Sequence, residues 1–227
     1  MKNLTVKEAY DKVAASYDGS YQDPISLIED CIILRKLNTI IQPSDLVVDL
    51  GSGTGFYLDK SPRPTLNYIG IDCSTEMLQI ARLKHPRNNF VENYMEDMAD
   101  IKPSSIDVVI SLFGSISYAE PLRTAMEIDR ITHKGSRIFL MYYGKGYPDR
   151  ETYILKRHNI TAPIHEVNDY LMLYPKFRFT VIPFMAKKMV DDKKRTWTQL
   201  NDMFEMYQQN LKAEDSFWVI VEGTKLA

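Results

Sequence analysis

Short apolar runs alternate with stretches of helical spacing through the middle of the chain. Central strands of a parallel sheet are covered on both faces, so apolar runs without alternation are typical of them. Four such runs predict buried strands at Leu46–Leu50, Tyr68–Ile71, Val108–Leu112 and Ile138–Tyr142. Between them, Glu76–Lys84 and Pro121–Thr132 repeat apolar residues at helical spacing and predict crossover helices. The alternation predicts an α/β fold around a parallel sheet.

The segments on either side of this core predict a lid and a cover. Val6–Ala15 and Ser26–Ile41 have helical spacing, so residues 1–42 are expected to form an N-terminal helical lid. Residues 144–200 are expected to form a substrate cover, in which Phe177–Met185 and Arg195–Leu200 pair as an extra hairpin. The pattern then predicts a helix from about Leu200 to Leu211 and a closing strand at Phe217–Val221. A chain of 227 residues is expected to form a single domain, 1–227.

Composition narrows the classes of function. The 28 basic and 30 acidic residues give a net charge of −2, so no global field attracts nucleic acid. No segment approaches the roughly 18 apolar residues of a membrane span, and no signal peptide is visible. The two cysteines, Cys31 and Cys73, support neither a disulfide framework nor a zinc site, and no other metal motif occurs. We expect a cytoplasmic protein without a metal, and leave a homodimer open.

The sharpest local signal is a glycine turn directly after the first predicted strand. Gly51, Gly53 and Gly55 follow Asp49 at alternate positions, and glycine lets the chain bend closely under a ligand. After the next strand comes Asp72, at about the distance where an acid meets ribose hydroxyls in a βαβ nucleotide unit. These residues predict a nucleotide-like cofactor site.

In this order of motifs, the segment from Tyr10 to about Tyr143 resembles the class I S-adenosylmethionine-dependent methyltransferases. The resemblance implies a Rossmann-like, seven-stranded, mostly parallel sheet of order 3-2-1-4-5-7-6, with S-adenosylmethionine as cofactor. It implies that Asp49 approaches the methionyl amine, that the glycine turn lies under the cofactor, and that Asp72 holds the ribose. Tyr17, in a Tyr-Asp pair before the core, is similar to a tyrosine that closes over the methionyl carboxylate.

The adenine loop departs from the family pattern. Asn93 and Tyr94 stand where the family commonly has Gly-Asp, so Met95 and Glu96 become the predicted adenine contacts. The predicted cofactor set is completed by three further residues, Cys73, Met77 and Ser111. A surface loop with a buried methionine is the alternative for the adenine positions.

Aromatic residues near the ends of the strands predict the acceptor side of the site. Phe113 and Tyr118 are the predicted substrate contacts, and Tyr143 is the predicted catalytic residue. Aromatic faces stabilise cations, so these rings are expected to act on positive charge. A hydroxyl acting as base, or an ordinary rim aromatic, stays open for Tyr143. Of the four histidines, only His158 and His165 fall in the predicted cover, and His165, next to Glu166, is expected to be solvated rather than catalytic.

The predicted function is methyl transfer from S-adenosylmethionine to a small molecule. The fourth-strand segment lacks the Asn-Pro-Pro-Tyr and Pro-Cys motifs of base methylation. One alternative keeps the cofactor and cyclises its methionyl chain with loss of methylthioadenosine. A nicotinamide-dependent oxidoreductase is disfavoured because dinucleotide binders prefer GxGxxG, whereas Gly55 comes one position early. A cofactor-binding regulatory domain is a further alternative.

Overall fold

Seven strands form one twisted sheet, in a computed structural model that describes residues 4–61, 67–146, 167–186 and 197–227. The strand order is β3-β2-β1-β4-β5-β7-β6. The strands are β1 Val47–Leu50, β2 Tyr68–Asp72, β3 Asn89–Glu92, β4 Ile106–Ser111, β5 Thr132–Tyr143, β6 Phe177–Ala186 and β7 Ser216–Lys225. The predicted Rossmann-like architecture and strand order are confirmed.

Seven α-helices are described around this sheet. They are α1 Val6–Tyr17, α2 Pro24–Ile40, α3 Phe56–Lys60, α4 Thr75–Lys84, α5 Pro121–Ile131, α6 Val167–Leu173 and α7 Trp197–Gln208. Short 3-10 turns occupy Ser115–Tyr118 and Ala213–Asp215. The first helix begins with a capping box in which Thr5 and Glu8 satisfy each other's backbone N–H groups.

The pairing of the strands shows which residues lie at the edge of the sheet where a ligand can bind. β1 pairs in parallel with β2 and β4, so Asp49 lies opposite Gly70 on one side and Ile110 on the other. β5 and β6 both pair antiparallel with β7, which brings Tyr143 opposite Trp218. Ligands of open parallel sheets bind outside the carboxyl ends of the strands. Asp49 and Tyr143 both stand near that edge.

The two faces of the sheet contribute their side chains to two separate apolar cores. Phe139, Met141 and Tyr143 pack into one core, which also holds the buried face of α2. Leu140 and Tyr142 pack into the other, which holds the buried face of α5. Successive residues of a strand point to opposite faces, and β5 follows this period of two. Tyr142 and Tyr143 therefore point to opposite sides, as predicted.

The region after β5 differs from the prediction. Phe177–Ala186 is not part of an extra hairpin but is β6, the edge strand of the main sheet. Residues 197–200 belong to helix α7 and not to a second strand, and Arg195 lies outside the described residues. The alternating pattern of β6 identified a strand correctly, but a strand pattern does not specify its partner. Most of the predicted cover, including His158 and His165, lies outside the described residues.

Candidate active site

Two adjoining cavities open at the carboxyl ends of the strands. The larger, of about 600 Å³, lies between the glycine turn, α2 and the end of β7. The smaller, of about 300 Å³, lies between the glycine turn, α1 and the loop after β3. Five residues line both cavities: Tyr10, Tyr17, Gly51, Gly53 and Ser115. The glycine turn and α1 therefore form the common border of one continuous cleft.

The glycine turn is shaped by left-handed backbone. Gly51, Gly53 and Gly55 have backbone φ angles of 75°, 53° and 94°. Residues other than glycine rarely adopt such positive values. A Cβ on Gly51 would also lie 2.3 Å from the Ser115 Cβ. A Cβ on Gly53 would meet nothing within 4 Å, so open space lies above this residue. The turn exposes backbone to a ligand most directly at Gly53.

Asp49 is a buried acid with one free oxygen. It is 2% exposed, and its Oδ2 accepts a hydrogen bond of 2.7 Å from the Tyr68 hydroxyl. Its Oδ1 and the Ser52 hydroxyl are buried without a hydrogen-bond partner among the described residues, and both residues line the larger cavity. Burial raises the pKa of Asp49 to about 7, against the hydrogen bond from Tyr68. A charged amine in the cavity would satisfy this oxygen, which fits the methionyl end of the cofactor.

Asp72 joins the glycine turn to the next helix. Its Oδ2 accepts a hydrogen bond of 2.9 Å from the Gly53 N–H, and its Oδ1 accepts one of 2.8 Å from the Ser74 N–H. Burial raises its pKa, while these two backbone donors lower it. Each carboxylate oxygen can accept a further hydrogen bond, and Asp72 lines the smaller cavity. Asp72 can therefore hold ribose hydroxyls while it also fixes the turn.

The smaller cavity brings together the predicted adenosine contacts. Cys73 and Met77 line it beside Asp72, and Met95 and Glu96 line it from the loop after β3. Glu96 Oε1 also accepts a hydrogen bond of 2.7 Å from the Glu120 N–H. The residues at this end are mixed apolar and polar, which suits a planar base beside a ribose.

Helix α1 closes the cleft from above. Tyr10 and Tyr17 point into both cavities, with their ring centroids 6.0 Å apart. Burial raises the pKa of both hydroxyls well above the usual value, so the tyrosines are neutral. The predicted Tyr17 therefore lies at the border of both cavities, where its ring contacts that of Tyr10.

Aromatic rings form the far wall of the larger cavity. The Tyr143 ring stacks on Trp218 with centroids 5.1 Å apart and an interplanar angle of 23°. Phe113 contacts Trp218 at 6.3 Å and Phe56 at 4.9 Å, both edge to face. Tyr118, which lines the smaller cavity, donates a hydrogen bond of 2.8 Å to the Tyr143 hydroxyl. The three predicted acceptor-side residues are therefore brought together.

The backbone beneath this wall is strained. Phe113 has φ of 51°, a left-handed conformation that is unfavourable for a residue with a bulky side chain. The next residue, Gly114, has φ of 79°, and a Cβ there would lie 2.7 Å from the Tyr143 ring. Met185, another cavity residue, also has a positive φ of 57°. Strain of this kind persists where surrounding packing enforces it and is frequent at ligand sites.

Two predicted cofactor residues do not line either described cavity. Ser111 is fully buried and donates a hydrogen bond of 2.7 Å to the Leu50 carbonyl, so it ties β4 to β1. Gly55 faces helix α4, where a Cβ would lie 2.9 Å from the His85 ring. Both residues support the cleft from behind.

The structure also adds residues that the sequence analysis missed. Trp218 lies on β7 and Glu29 on α2, and both line the larger cavity. Glu29 Oε1 accepts a hydrogen bond from the Trp218 indole N–H across 189 positions of sequence. A carboxylate amid the apolar residues of α2 was a visible signal for Glu29. Nothing local identifies Trp218, because its position depends on strand pairing.

No metal site and no membrane span are found among the described residues. Histidine, cysteine and carboxylate side chains form no group of three suited to a metal ion there. No described helix is both long and apolar enough to cross a bilayer.

Comparison with known sequences connects this cleft to a family. The model of a methyltransferase domain matches residues 48–140. An uncharacterised protein of Methanocaldococcus jannaschii is 33% identical over 139 residues, which cover 61% of this chain and 51% of that protein. The ubiquinone/menaquinone biosynthesis C-methyltransferase of Campylobacter jejuni is 24% identical over 156 residues, covering 63% and 66%. The chain thus spans about half to two thirds of the length of these curated relatives.

Solved structures share the fold over nearly the whole chain. An S-adenosylmethionine-dependent methyltransferase of Thermotoga maritima has a TM-score of 0.67 and 16% identity, with coverage of 97% of this chain and 100% of that one. A methyltransferase of Haloferax volcanii, solved with the activator Trm112, has a TM-score of 0.67 and 19% identity, with 98% of each chain covered. Residues 48–140, which hold the glycine turn and Asp72, thus match a methyltransferase domain, and the chain shares the fold of S-adenosylmethionine-dependent methyltransferases.

Proposed function

We propose that the protein transfers the methyl group of S-adenosylmethionine to a small molecule bound in the larger cavity. The observation that carries the proposal is the unpaired Asp49 Oδ1, which faces the same cavity as the aromatic wall of Phe113, Tyr143 and Trp218. The methionyl amine of the cofactor would pair with Asp49, and its adenosine would occupy the smaller cavity. The acceptor would then lie against the aromatic wall.

The cofactor supplies a methyl group already activated on a sulfonium. The protein's contribution to such a transfer is chiefly alignment and electrostatic stabilisation. Asp49, Asp72 and the glycine turn would fix the donor from three sides. Phe113 and Tyr143 would position the acceptor and stabilise positive charge with their rings.

The size and closure of the cleft favour a small acceptor. A cavity of about 600 Å³ lies within the range of sites for small molecules. Helix α1 borders the cleft beside the glycine turn, and the net charge of −2 offers no general attraction for nucleic acid. A cytoplasmic location and a homodimer stay predictions.

Incubation with S-adenosylmethionine and a mixture of small metabolites tests the proposal. The expected result is S-adenosylhomocysteine together with a product that is heavier by one methylene unit, detected by mass spectrometry. Methylthioadenosine formed without any acceptor would instead indicate cyclisation of the methionyl chain. Calorimetry that detected binding of a nicotinamide dinucleotide but not of S-adenosylhomocysteine would overturn the cofactor assignment.

A further inference from the structure

Acidic side chains dominate the charged lining of the larger cavity. Among its described lining residues, six carboxylates face one cation, Lys60. The carboxylates are Asp18, Asp23, Glu29, Asp30, Asp49 and Asp59. Charges of one sign in a cleft with low-dielectric walls raise the local concentration of ligands of the opposite sign. This cavity therefore favours a cationic ligand.

Most of these carboxylates already have an assigned partner. Asp18 and Asp59 each form an ion pair with Lys84. Asp23 accepts hydrogen bonds at the N-terminus of α2, where it caps the helix. Asp49 fits the cofactor amine. Burial raises the pKa of Asp30 to about 6, and the nearby charge of Lys60 opposes this rise.

Glu29 is the remaining carboxylate of this set, and the preceding assignments give it neither a cation nor a cofactor group. Its Oε1 accepts the hydrogen bond from Trp218 Nε1, while no described residue donates to its Oε2. Burial raises the pKa of Glu29 to about 8, against the Trp218 hydrogen bond, and the charges of Asp30 and Asp23 raise it further. No cation of the described residues offsets this burial. A positively charged ligand would therefore stabilise the ionised form of Glu29 more than a neutral or negative one.

The aromatic wall adds a second preference for positive charge. Glu29 is hydrogen-bonded to Trp218, whose ring stacks on Tyr143 and contacts Phe113 edge to face. The faces of such rings attract an ammonium group by about 0.5–2 kcal/mol, depending on how far it is desolvated. The rings and the carboxylate thus occupy neighbouring positions in the wall of the larger cavity.

We propose that the methyl acceptor is a small amine, bound as its ammonium form by Glu29 beside the rings of Trp218 and Tyr143. The inference rests on the proposed methyl transfer and names its acceptor class. The ammonium first gives one proton to the Glu29 carboxylate. The nitrogen lone pair then bonds to the methyl carbon, the carbon–sulfur bond breaks with its electrons left on sulfur, and the product is a methylated ammonium.

Binding to protein saturated with S-adenosylhomocysteine tests this directly. Calorimetry would compare 2-phenylethylamine, 2-phenylethanol and 3-phenylpropionate, which share a ring and differ in the charge of the end group. We expect the amine to bind at least tenfold more tightly than the alcohol and the acid to bind most weakly. Equal affinities, preference for the acid, or no detectable amine binding would overturn the inference.

The variant Glu29→Gln separates the charge from the packing, because the amide oxygen still accepts from Trp218. It should weaken amine binding at least tenfold and leave the affinity for S-adenosylhomocysteine unchanged. Glu214→Gln removes an exposed carboxylate outside the cavity and should change neither. Unchanged amine affinity in Glu29→Gln would contradict the role of Glu29. Failure of S-adenosylhomocysteine to bind would instead reject the proposed function itself.

Discussion

Asp49 shows at residue scale how burial prepares a group for its ligand. Its raised pKa of about 7 means that the free protein holds this carboxyl largely protonated at pH 6 and largely ionised at pH 8. Only the ionised form can pair with an amine, so ligand binding below pH 7 must release a proton. The affinity of the site should therefore rise as the pH rises through 7.

We predict that the affinity for S-adenosylhomocysteine rises from pH 6 toward pH 8, with a limiting slope of about tenfold per pH unit below 7. Asp49→Asn should lower affinity at pH 8 and flatten this dependence. Calorimetry at several pH values, in buffers with different ionisation heats, measures both affinity and released protons. Burial also raises the pKa of Asp72, so the variant isolates the Asp49 contribution. An unchanged slope in the variant would assign the proton to Asp72.

Asp72 supports the glycine turn and is also the proposed ribose acid. Asp72→Ala should weaken cofactor binding by about 1–3 kcal/mol, the scale of lost hydrogen bonds to a charged group. It should also lower the free energy of unfolding by about 1–3 kcal/mol, because the Gly53 and Ser74 N–H groups lose their acceptor. Calorimetry and urea unfolding measure the two effects. Asp100→Ala, at an exposed position, is the control. A loss of stability with full affinity would leave Asp72 a structural role only.

Two substitutions at Tyr143 distinguish a role of its ring from a role of its hydroxyl group. If the ring acts, Tyr143→Phe should retain most turnover, since stacking on Trp218 survives, whereas Tyr143→Leu should lose it. The Phe variant removes the hydroxyl that accepts the Tyr118 hydrogen bond. Steady-state kinetics with the acceptor found by screening, and cofactor affinity as a control, distinguish the cases. Equal impairment in both variants would assign the role to the hydroxyl, and full activity in both would exclude Tyr143.

At the scale of elements, helix α1 is fastened to the core by two polar side chains. Asp11 Oδ1 accepts a hydrogen bond of 2.7 Å from the Ser74 hydroxyl at the start of α4. Lys7 Nζ donates to the Cys73 carbonyl at 2.9 Å and to the Thr75 hydroxyl at 2.5 Å. These bonds hold α1 over the smaller cavity, next to Asp72 and Cys73. Helix α1 is therefore fixed beside the smaller cavity, where the adenosine of the cofactor is proposed to bind.

Loosening this attachment should speed cofactor exchange without unfolding the core. Asp11→Ala is expected to raise the dissociation rate of S-adenosylhomocysteine several-fold and to increase hydrogen exchange in residues 6–17. The midpoint of thermal unfolding should change little, because the two main apolar cores do not include α1. Lys12→Ala, at an exposed position of the same helix, serves as the control. Unchanged exchange in Asp11→Ala would show that apolar contacts alone hold the lid.

The whole molecule shows which parts of a structure local sequence patterns can predict. The parallel strands and the glycine turn follow from apolar runs and backbone requirements, so they could be predicted. The strand order and the cofactor roles came from the resemblance to a family. The pairing of β6 with β7, and hence the position of Trp218 beside Tyr143, depends on contacts between distant segments. Ser111 lines neither cavity, because a strand-end serine can face a ligand or, as here, a neighbouring carbonyl.

The position of β7 between β5 and β6 has a consequence for how the cavity comes into being during folding. The hydrogen bond between Glu29 and Trp218 joins residues that are 189 positions apart in the sequence. Contacts of such long range carry a large loss of chain entropy when they form early in folding. The cavity should therefore be completed after the rate-limiting step. A ligand bound there would leave the refolding rate nearly unchanged and would slow unfolding instead. The lifetime of the folded state would then increase with the concentration of the ligands that bind in this cavity.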